Sequence, residues 1–324
     1  MQIYFLLTEK CNLRCRMCIR GEKQNNEITF NDLKNYGLLK TFKNHDIVIT
    51  GGEPSLCKEF EEIVYAVSNV ARTVSICTNG IKNDYITNDF FKPNVKIQIS
   101  IDGSANQHDN IRGLGTYERT FQTVKKLEDL EIPYSIATVV NKSNKESLTD
   151  LVAELAKLKN MTWWSVSMEM PFGEGSFEQI LPVEDWNELV DKLLQNATFK
   201  MKVKKLFPFE LFDKYKEKLD QMYEQGGLCN NCGSGARKIY IYPDLTVYPC
   251  TCLTKFPLGN LKEKTLDEIL CCEQTLKFSR YKLEEDSKCY KCEYKKYCNG
   301  GCIGMSYHHF GKLGYGDTRC PKLR

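Results

Sequence analysis

Along the first 195 residues, short runs of β-branched and aliphatic residues alternate with longer stretches whose apolar positions recur every three or four residues. The runs predict strands at 3–7, 47–50, 74–77, 95–101, 134–140 and 163–168. The stretches between them predict helices at 31–43, 60–70, 117–130, 146–159 and 183–195. Apolar strands separated by helices are the mark of a parallel α/β sheet, because the helices cover it and each strand is buried. Six strands are too few to close an eight-stranded barrel, so a partial barrel is expected, with its site at the carboxyl ends of the strands.

The pattern changes after residue 195. Residues 196–227 form a Lys- and Phe-rich connector, KMKVKKLFPFELFDKYKEKL, which reads as an amphipathic bridging helix with a basic outer face; a docking surface for an acidic peptide is the alternative. Residues 228–324 combine short strand-like segments, turns and a dense set of cysteines. The expected division is therefore 1–195, 196–227 and 228–324.

A net charge of +3 over 324 residues is too mild to imply nucleic acid as a partner. No apolar run is long enough to span a membrane, and the first strand begins without a signal-peptide layout. A cytoplasmic location is expected, where thiols stay reduced. Sixteen cysteines then call for metal ligation instead of disulfides.

Cys11, Cys15 and Cys18 follow the strand-like IYFLL in the run CNLRCRMC. Three thiolates that close can hold three corners of a [4Fe–4S] cube and leave the fourth iron open, whereas electron-transfer clusters have four cysteine ligands. A zinc knuckle would close with a nearby Cys or His, and none follows Cys18 before His45. Further candidates fall at strand ends: Gly51, Gly52 and Glu53 in VITGGEP, Thr78 and Asn79 in CTNG, Ser100 and Asp102 in ISIDG, then His108 and Arg112 in HDNIRG. Glycines let a backbone approach a ligand, and a carboxylate with exposed carbonyls can receive an ammonium group.

CNLRCRMC followed by GGEP resembles the radical S-adenosylmethionine (SAM) superfamily. The resemblance implies that SAM chelates the open iron through its amino and carboxylate groups. One electron then cleaves it to methionine and a 5′-deoxyadenosyl radical that abstracts hydrogen from an unreactive C–H bond. It also implies an external one-electron reductant of the flavodoxin or ferredoxin type. Met17 stands where the family usually has an aromatic residue, and a thioether can pack over adenine instead. By the same likeness Gly51, Gly52 and Glu53 bind the SAM amino group, Ser100 and Arg112 its carboxylate, and Asp102 lies near the ribose. Thr78 and Asn79 belong to the same site, and Val139, Val140 and Asn141 pack against adenine.

In the C-terminal third, Cys289, Cys292, Cys298 and Cys302 are spaced x2, x5 and x3, and Cys320 follows; Cys229, Cys232 and Cys250 lie upstream. This series resembles the SPASM extension of radical SAM enzymes, although Leu245 stands where a glycine is usual. A turn through Asp244 can replace it. The resemblance covers nearly the whole chain and implies a partial (β/α)6 barrel followed by a small cysteine-rich domain. It implies three [4Fe–4S] clusters. Two are auxiliary, the first on Cys232, Cys250 and Cys302 with Cys229 or Cys252, the second on Cys289, Cys292, Cys298 and Cys320. Structural zinc at the C-x2-C pairs is the alternative. Of the remaining cysteines Cys57, Cys77, Cys252, Cys271 and Cys272, the candidates to donate a hydrogen atom to a substrate radical are Cys77 and Cys252.

SPASM enzymes mostly oxidise ribosomally made peptides, so a side-chain cross-link or similar change is the leading expectation. Peptide epimerisation and oxidation of a small molecule are the alternatives, and a non-catalytic zinc or electron-transfer protein is the alternative outside the class. Thr251 stands where sulfatase maturases of the family carry an Asp, which argues against formylglycine chemistry. With ten residues before Cys11, no N-terminal recognition module is expected. A precursor would bind the connector or the cysteine-rich surface, or arrive with a separate leader-peptide carrier. Trp163, Trp164, Tyr240, Tyr242 and Tyr248 are aromatics that could line such a groove.

Overall fold

The computed structural model describes residues 1–21, 24–204, 216–225 and 231–323. Its centre is one open sheet of ten strands among the described residues. The six strands expected from the sequence are β1 (Gln2–Thr8), β2 (Asp46–Gly51), β3 (Thr73–Thr78), β4 (Val95–Ser100), β5 (Tyr134–Val140) and β6 (Met161–Met168). They pair in sequence order and in parallel.

Four further strands extend the sheet: one, at 201–204, was not foreseen, and three fall in the region 228–324 where short strand-like segments were expected. β7 (Met201–Lys204) pairs in parallel with β6. That corrects the connector reading at 201–204, which is a strand; Lys216–Glu224 is a helix, and 205–215 and 226–227 of the connector lie outside the described residues. At the other edge β8 (Lys238–Ile241) lies parallel to β1, and β9 (Thr246–Tyr248) and β10 (Gly259–Asn260) continue antiparallel. The cysteine-rich region is thus joined to the first strand. Across that pairing the rings of Tyr4 and Tyr240 stack at 4.3 Å.

The expected helix at 31–43 is two: α1 (Phe30–Asn35) and α2 (Leu38–Phe42). Thr29 and Asp32 form a capping box at the first, and Gly37, at φ +63°, breaks the run between them. α3 (Phe60–Ser68) packs beside them. The run after β4 holds α4 (Ala105–Arg112), unforeseen because its sequence is polar, followed by α5 (Thr116–Asp129). α6 (Leu148–Leu155) and α7 (Val183–Asn196) complete the layer.

The odd-numbered residues of β1, Ile3, Phe5 and Leu7, face the helices and join Phe42, Ile63, Val67, Val124, Leu127, Leu151 and Trp186 in one core. Each large aliphatic side chain taken fully from water contributes about 1.5–3 kcal/mol, which holds the helices to the sheet. Burial on that face leaves the strands' carboxyl ends free to build a site. No described helix is long and apolar enough to cross a membrane.

Candidate active site

A cavity of about 1000 Å³ opens over the carboxyl ends of the strands. Cys11, Cys15 and Cys18 form part of its wall, with Gly51, Gly52, Glu53, Thr78, Asn79, Ser100 and Arg112. The structure therefore brings together the N-terminal thiols and most of the residues picked out at strand ends. Tyr242, Tyr248, Thr251 and Cys252 close the cavity from the cysteine-rich region.

The cysteine loop leaves β1 and is fastened at several points. Arg16 N–H donates to the Ile111 carbonyl of α4 at 3.0 Å, and Cys18 N–H donates to the Cys15 carbonyl at 3.1 Å. The GGEP turn is pressed against the start of this loop. Gly52 N–H donates to Thr8 O at 2.7 Å and Glu53 N–H to Lys10 O at 2.8 Å. A Cβ on Gly52 would lie 2.2 Å from Lys10 O, and one on Gly51 2.4 Å from Thr8 O. The glycines are thus demanded by loop-to-loop contact in the chain itself, beyond any approach to a ligand.

Glu53 is 1% exposed and collects four donors: Ser55 N–H at 3.2 Å, Ser55 Oγ at 2.7 Å, Thr78 Oγ1 at 2.7 Å and Asn79 N–H at 2.8 Å. Burial pushes its carboxyl upward from the usual range, and these bonds oppose the rise. With both oxygens engaged, the carboxylate acts chiefly as the knot joining the ends of β2 and β3. Asn79 Nδ2 donates to Asn12 Oδ1 at 2.8 Å, extending the knot into the cysteine loop. Asn12, inside CNLRCRMC, was missed as a site residue.

Asp102 sits behind the cavity wall. It is fully buried and does not line the cavity, because its Oδ1 accepts Val139 N–H at 2.8 Å and its Oδ2 accepts Arg112 Nε at 2.5 Å. It positions Arg112, which does reach the cavity. His108 is buried as well, its Nδ1 accepting Asp102 N–H at 3.2 Å, so the ring is neutral; burial and the Arg112 charge hold it down at about 4. Val140 is a correction. It lies in the main core, while Val139, one step along β5, faces the cavity. Ser100 lines the cavity, and burial raises the Cys15 thiol against the pull of Arg112.

The loop after β6 was also missed. Met168, Met170 and Phe172 line the cavity, and Glu174 N–H donates to Cys18 O at 2.9 Å. Gly173, at φ +63°, lets this loop touch the cysteine loop, since a Cβ there would meet Cys18 O at 2.3 Å. The Gly-Glu-Gly run following a strand was the available signal. Of the expected groove aromatics, Tyr242 and Tyr248 line the cavity, whereas Trp164 is buried and donates to Thr138 Oγ1 at 2.7 Å.

The second cysteine region forms its own sites. Cys289, Cys292, Cys298 and Cys320 together line a small cavity of about 30 Å³. Burial and the neighbouring thiols push Cys289 up to about 12 and Cys298 to about 11. Gly316, at φ +99°, sits against them, and a Cβ there would lie 2.3 Å from Cys289 Sγ. Cys302, Cys232 and Cys250 are near enough that their charges bear on one another, and Cys252 and Cys302 both flank Gly304. Cys229 lies outside the described residues. Among the described residues no set of three Cys, His, Asp or Glu closes on a single metal ion, and it is the shared cavity that brings Cys289, Cys292, Cys298 and Cys320 together. Soft thiolates grouped in this way fit iron–sulfur chemistry.

Leu245 confirms the special turn before Cys250. It adopts φ +69°, the left-handed conformation that favours glycine, while its side chain is fully buried. Asp244 supports the turn by accepting Thr246 N–H at 3.0 Å.

A family model described as the radical SAM superfamily matches residues 5–171, and one described as an iron–sulfur cluster-binding domain, SPASM, matches 229–293. The chain is 27% identical over 271 residues to the sporulation killing factor maturation protein SkfB of Bacillus subtilis (strain 168), which covers 81% of this chain and 63% of that protein, so it spans less than two thirds of that relative. It is 27% identical over 319 residues to the AdoMet-dependent heme synthase of Methanosarcina barkeri (strain Fusaro / DSM 804), covering 93% of this chain and 90% of that protein. The crystal structure of Streptococcus suis SuiB bound to S-adenosylmethionine superposes with a TM-score of 0.79 at 18% identity, over 99% of this chain and 77% of that one. At that identity the likeness is one of fold.

Proposed function

The chain belongs to the radical SAM superfamily and carries a SPASM domain, and from that premise we propose that it oxidatively modifies a ribosomally made peptide, forming a side-chain cross-link or a related change. The observation that carries the reading is the shared cavity. One wall is the Cys11, Cys15 and Cys18 loop with GGEP, and the opposite wall is the cysteine-rich region. Its volume of about 1000 Å³ leaves room for a peptide side chain beside SAM.

In this reading Cys11, Cys15 and Cys18 hold a [4Fe–4S] cluster. Bound there, cluster and SAM supply one-electron cleavage of the sulfonium and hydrogen-atom abstraction. The backbone of Gly51 and Gly52 receives the SAM amino group, with Glu53 holding that turn in shape. Arg112, oriented by Asp102, and Ser100 take the carboxylate. Cys232, Cys250 and Cys302, with Cys229 or Cys252, and the set Cys289, Cys292, Cys298 and Cys320 would hold two further clusters, which would supply acceptors for the second electron of a substrate oxidation.

Anaerobically reconstituted, reduced protein is expected to release 5′-deoxyadenosine from SAM. Incubation with its ribosomally made precursor peptide is expected to give a product two hydrogens lighter by mass spectrometry. Absence of any 5′-deoxyadenosine would sink the proposal. Cys77 and Cys252 both line the cavity, which favours one second reading, epimerisation with one of them as hydrogen donor, Cys252 being the one on the cysteine-rich side. Unchanged product mass with deuterium gained from solvent, lost in Cys77→Ala or Cys252→Ala, is its signature.

A further inference from the structure

A buried ion pair lies between the two C-terminal cysteine sets. Asp317 is 1% exposed and Arg319 5%. Arg319 donates from Nη2 to Asp317 Oδ2 at 2.6 Å and from Nε to Oδ1 at 2.9 Å, a bidentate fork. Asp317 Oδ2 also accepts the backbone amide of Cys302 at 3.2 Å. Asp317 further lines the small cavity shared by Cys289, Cys292, Cys298 and Cys320. On its far side Arg319 Nη1 reaches Met170 Sδ at 3.2 Å, where Met170, Phe172 and Met305 pack around Cys252 and Cys302.

Stability alone does not call for this arrangement, because a buried pair is often replaceable by apolar residues at no cost. Its placement does suggest a role. One-electron reduction of a thiolate-held cluster adds a negative charge that apolar surroundings screen weakly. A fixed cation beside the cluster favours the reduced form, and a fixed anion disfavours it. Asp317 and Arg319 bear on the Cys302 thiol with opposite sign.

We propose that Arg319 and Asp317 are positioning residues that set the reduction potential of the cluster held by Cys302, Arg319 raising it and Asp317 lowering it. The inference rests on the iron–sulfur reading above. Asp317 also lowers the potential of the neighbouring cluster, whose cavity it lines, so the pair grades the two sites relative to one another.

The test uses full-length protein carrying Cys11→Ala, Cys15→Ala and Cys18→Ala, which leaves only the C-terminal clusters. After reconstitution with iron and sulfide, it is titrated with dithionite while electron paramagnetic resonance is recorded. Arg319→Gln is expected to move one midpoint to lower potential, with most of the shift restored in Arg319→Lys. Asp317→Asn is expected to move that same midpoint upward, together with the second one. Midpoints that stay fixed, or that move in the same direction in both variants, overturn the inference. If Arg319→Gln takes up less iron than its parent, Arg319→Lys and Asp317→Asn decide: a midpoint near the parent's in the first and a raised one in the second support the inference, and an unmoved midpoint in Asp317→Asn overturns it. A parent that takes up no iron and sulfide contradicts the cluster reading itself, whereas normal uptake with fixed midpoints contradicts this inference alone.

Discussion

The backbone amide of Asn79 donates to Glu53 Oε2 at 2.8 Å, tying the end of β3 to the turn after β2. Every donor around Glu53 expects a carboxylate oxygen. In Glu53→Gln an amide NH2 must face at least one of them, at a cost of about 1–3 kcal/mol for the unsatisfied group. The urea midpoint of the variant should fall by a corresponding amount, and SAM cleavage should weaken with it. A midpoint equal to that of the parent would show that Glu53 does not hold these strand ends.

Gly52→Ala tests the contact between GGEP and the cysteine loop. Its Cβ would stand 2.2 Å from Lys10 O and 2.6 Å from Glu9 O, both backbone atoms that cannot swing aside. The expected loss is about 1–3 kcal/mol, the usual range for overpacking. Because the displaced loop carries Cys11, iron uptake at the N-terminal site should drop too. Full stability with full iron content would contradict the close approach.

His108 gives the structure a pH dependence. The unfolded chain takes a proton near 6.5, whereas the buried ring resists until about 4. Stability is therefore full above pH 6.5 and declines as pH falls from there toward 4, by up to about 3 kcal/mol. Unfolding midpoints measured between pH 4 and 7 should show this slope, and His108→Gln should flatten it. An identical slope in the variant would assign the effect elsewhere.

At Leu245 two effects compete. Glycine would relieve the left-handed backbone by about 1–2 kcal/mol, while losing a buried leucine costs about 2–5 kcal/mol. Leu245→Gly should therefore be destabilised overall, by thermal unfolding, despite matching the family's usual residue. A more stable variant would mean that the strain outweighs the packing.

The six core strands were legible because each is written locally, in an apolar run, and the motif CNLRCRMC because its three cysteines are closely spaced. What escaped was non-local or a matter of phase. β8 joins β1 from more than two hundred residues away, and nothing in either segment specifies the partner. β7 is too short to stand out from the basic connector around it. The period of β5 was visible, but not which of Val139 and Val140 faced inward. Asp102 was recognised as an important carboxylate, yet its position in a buried network with Arg112 and Val139 depends on α4, a helix without an apolar stripe.

The most direct test of a SAM-binding iron at Cys11, Cys15 and Cys18 is electron paramagnetic resonance of the anaerobically reconstituted, reduced protein before and after SAM is added. The signal that disappears in Cys15→Ala should shift its g-values on addition, while the signals that persist in that variant stay where they are. A spectrum indifferent to SAM would contradict an open iron at that loop.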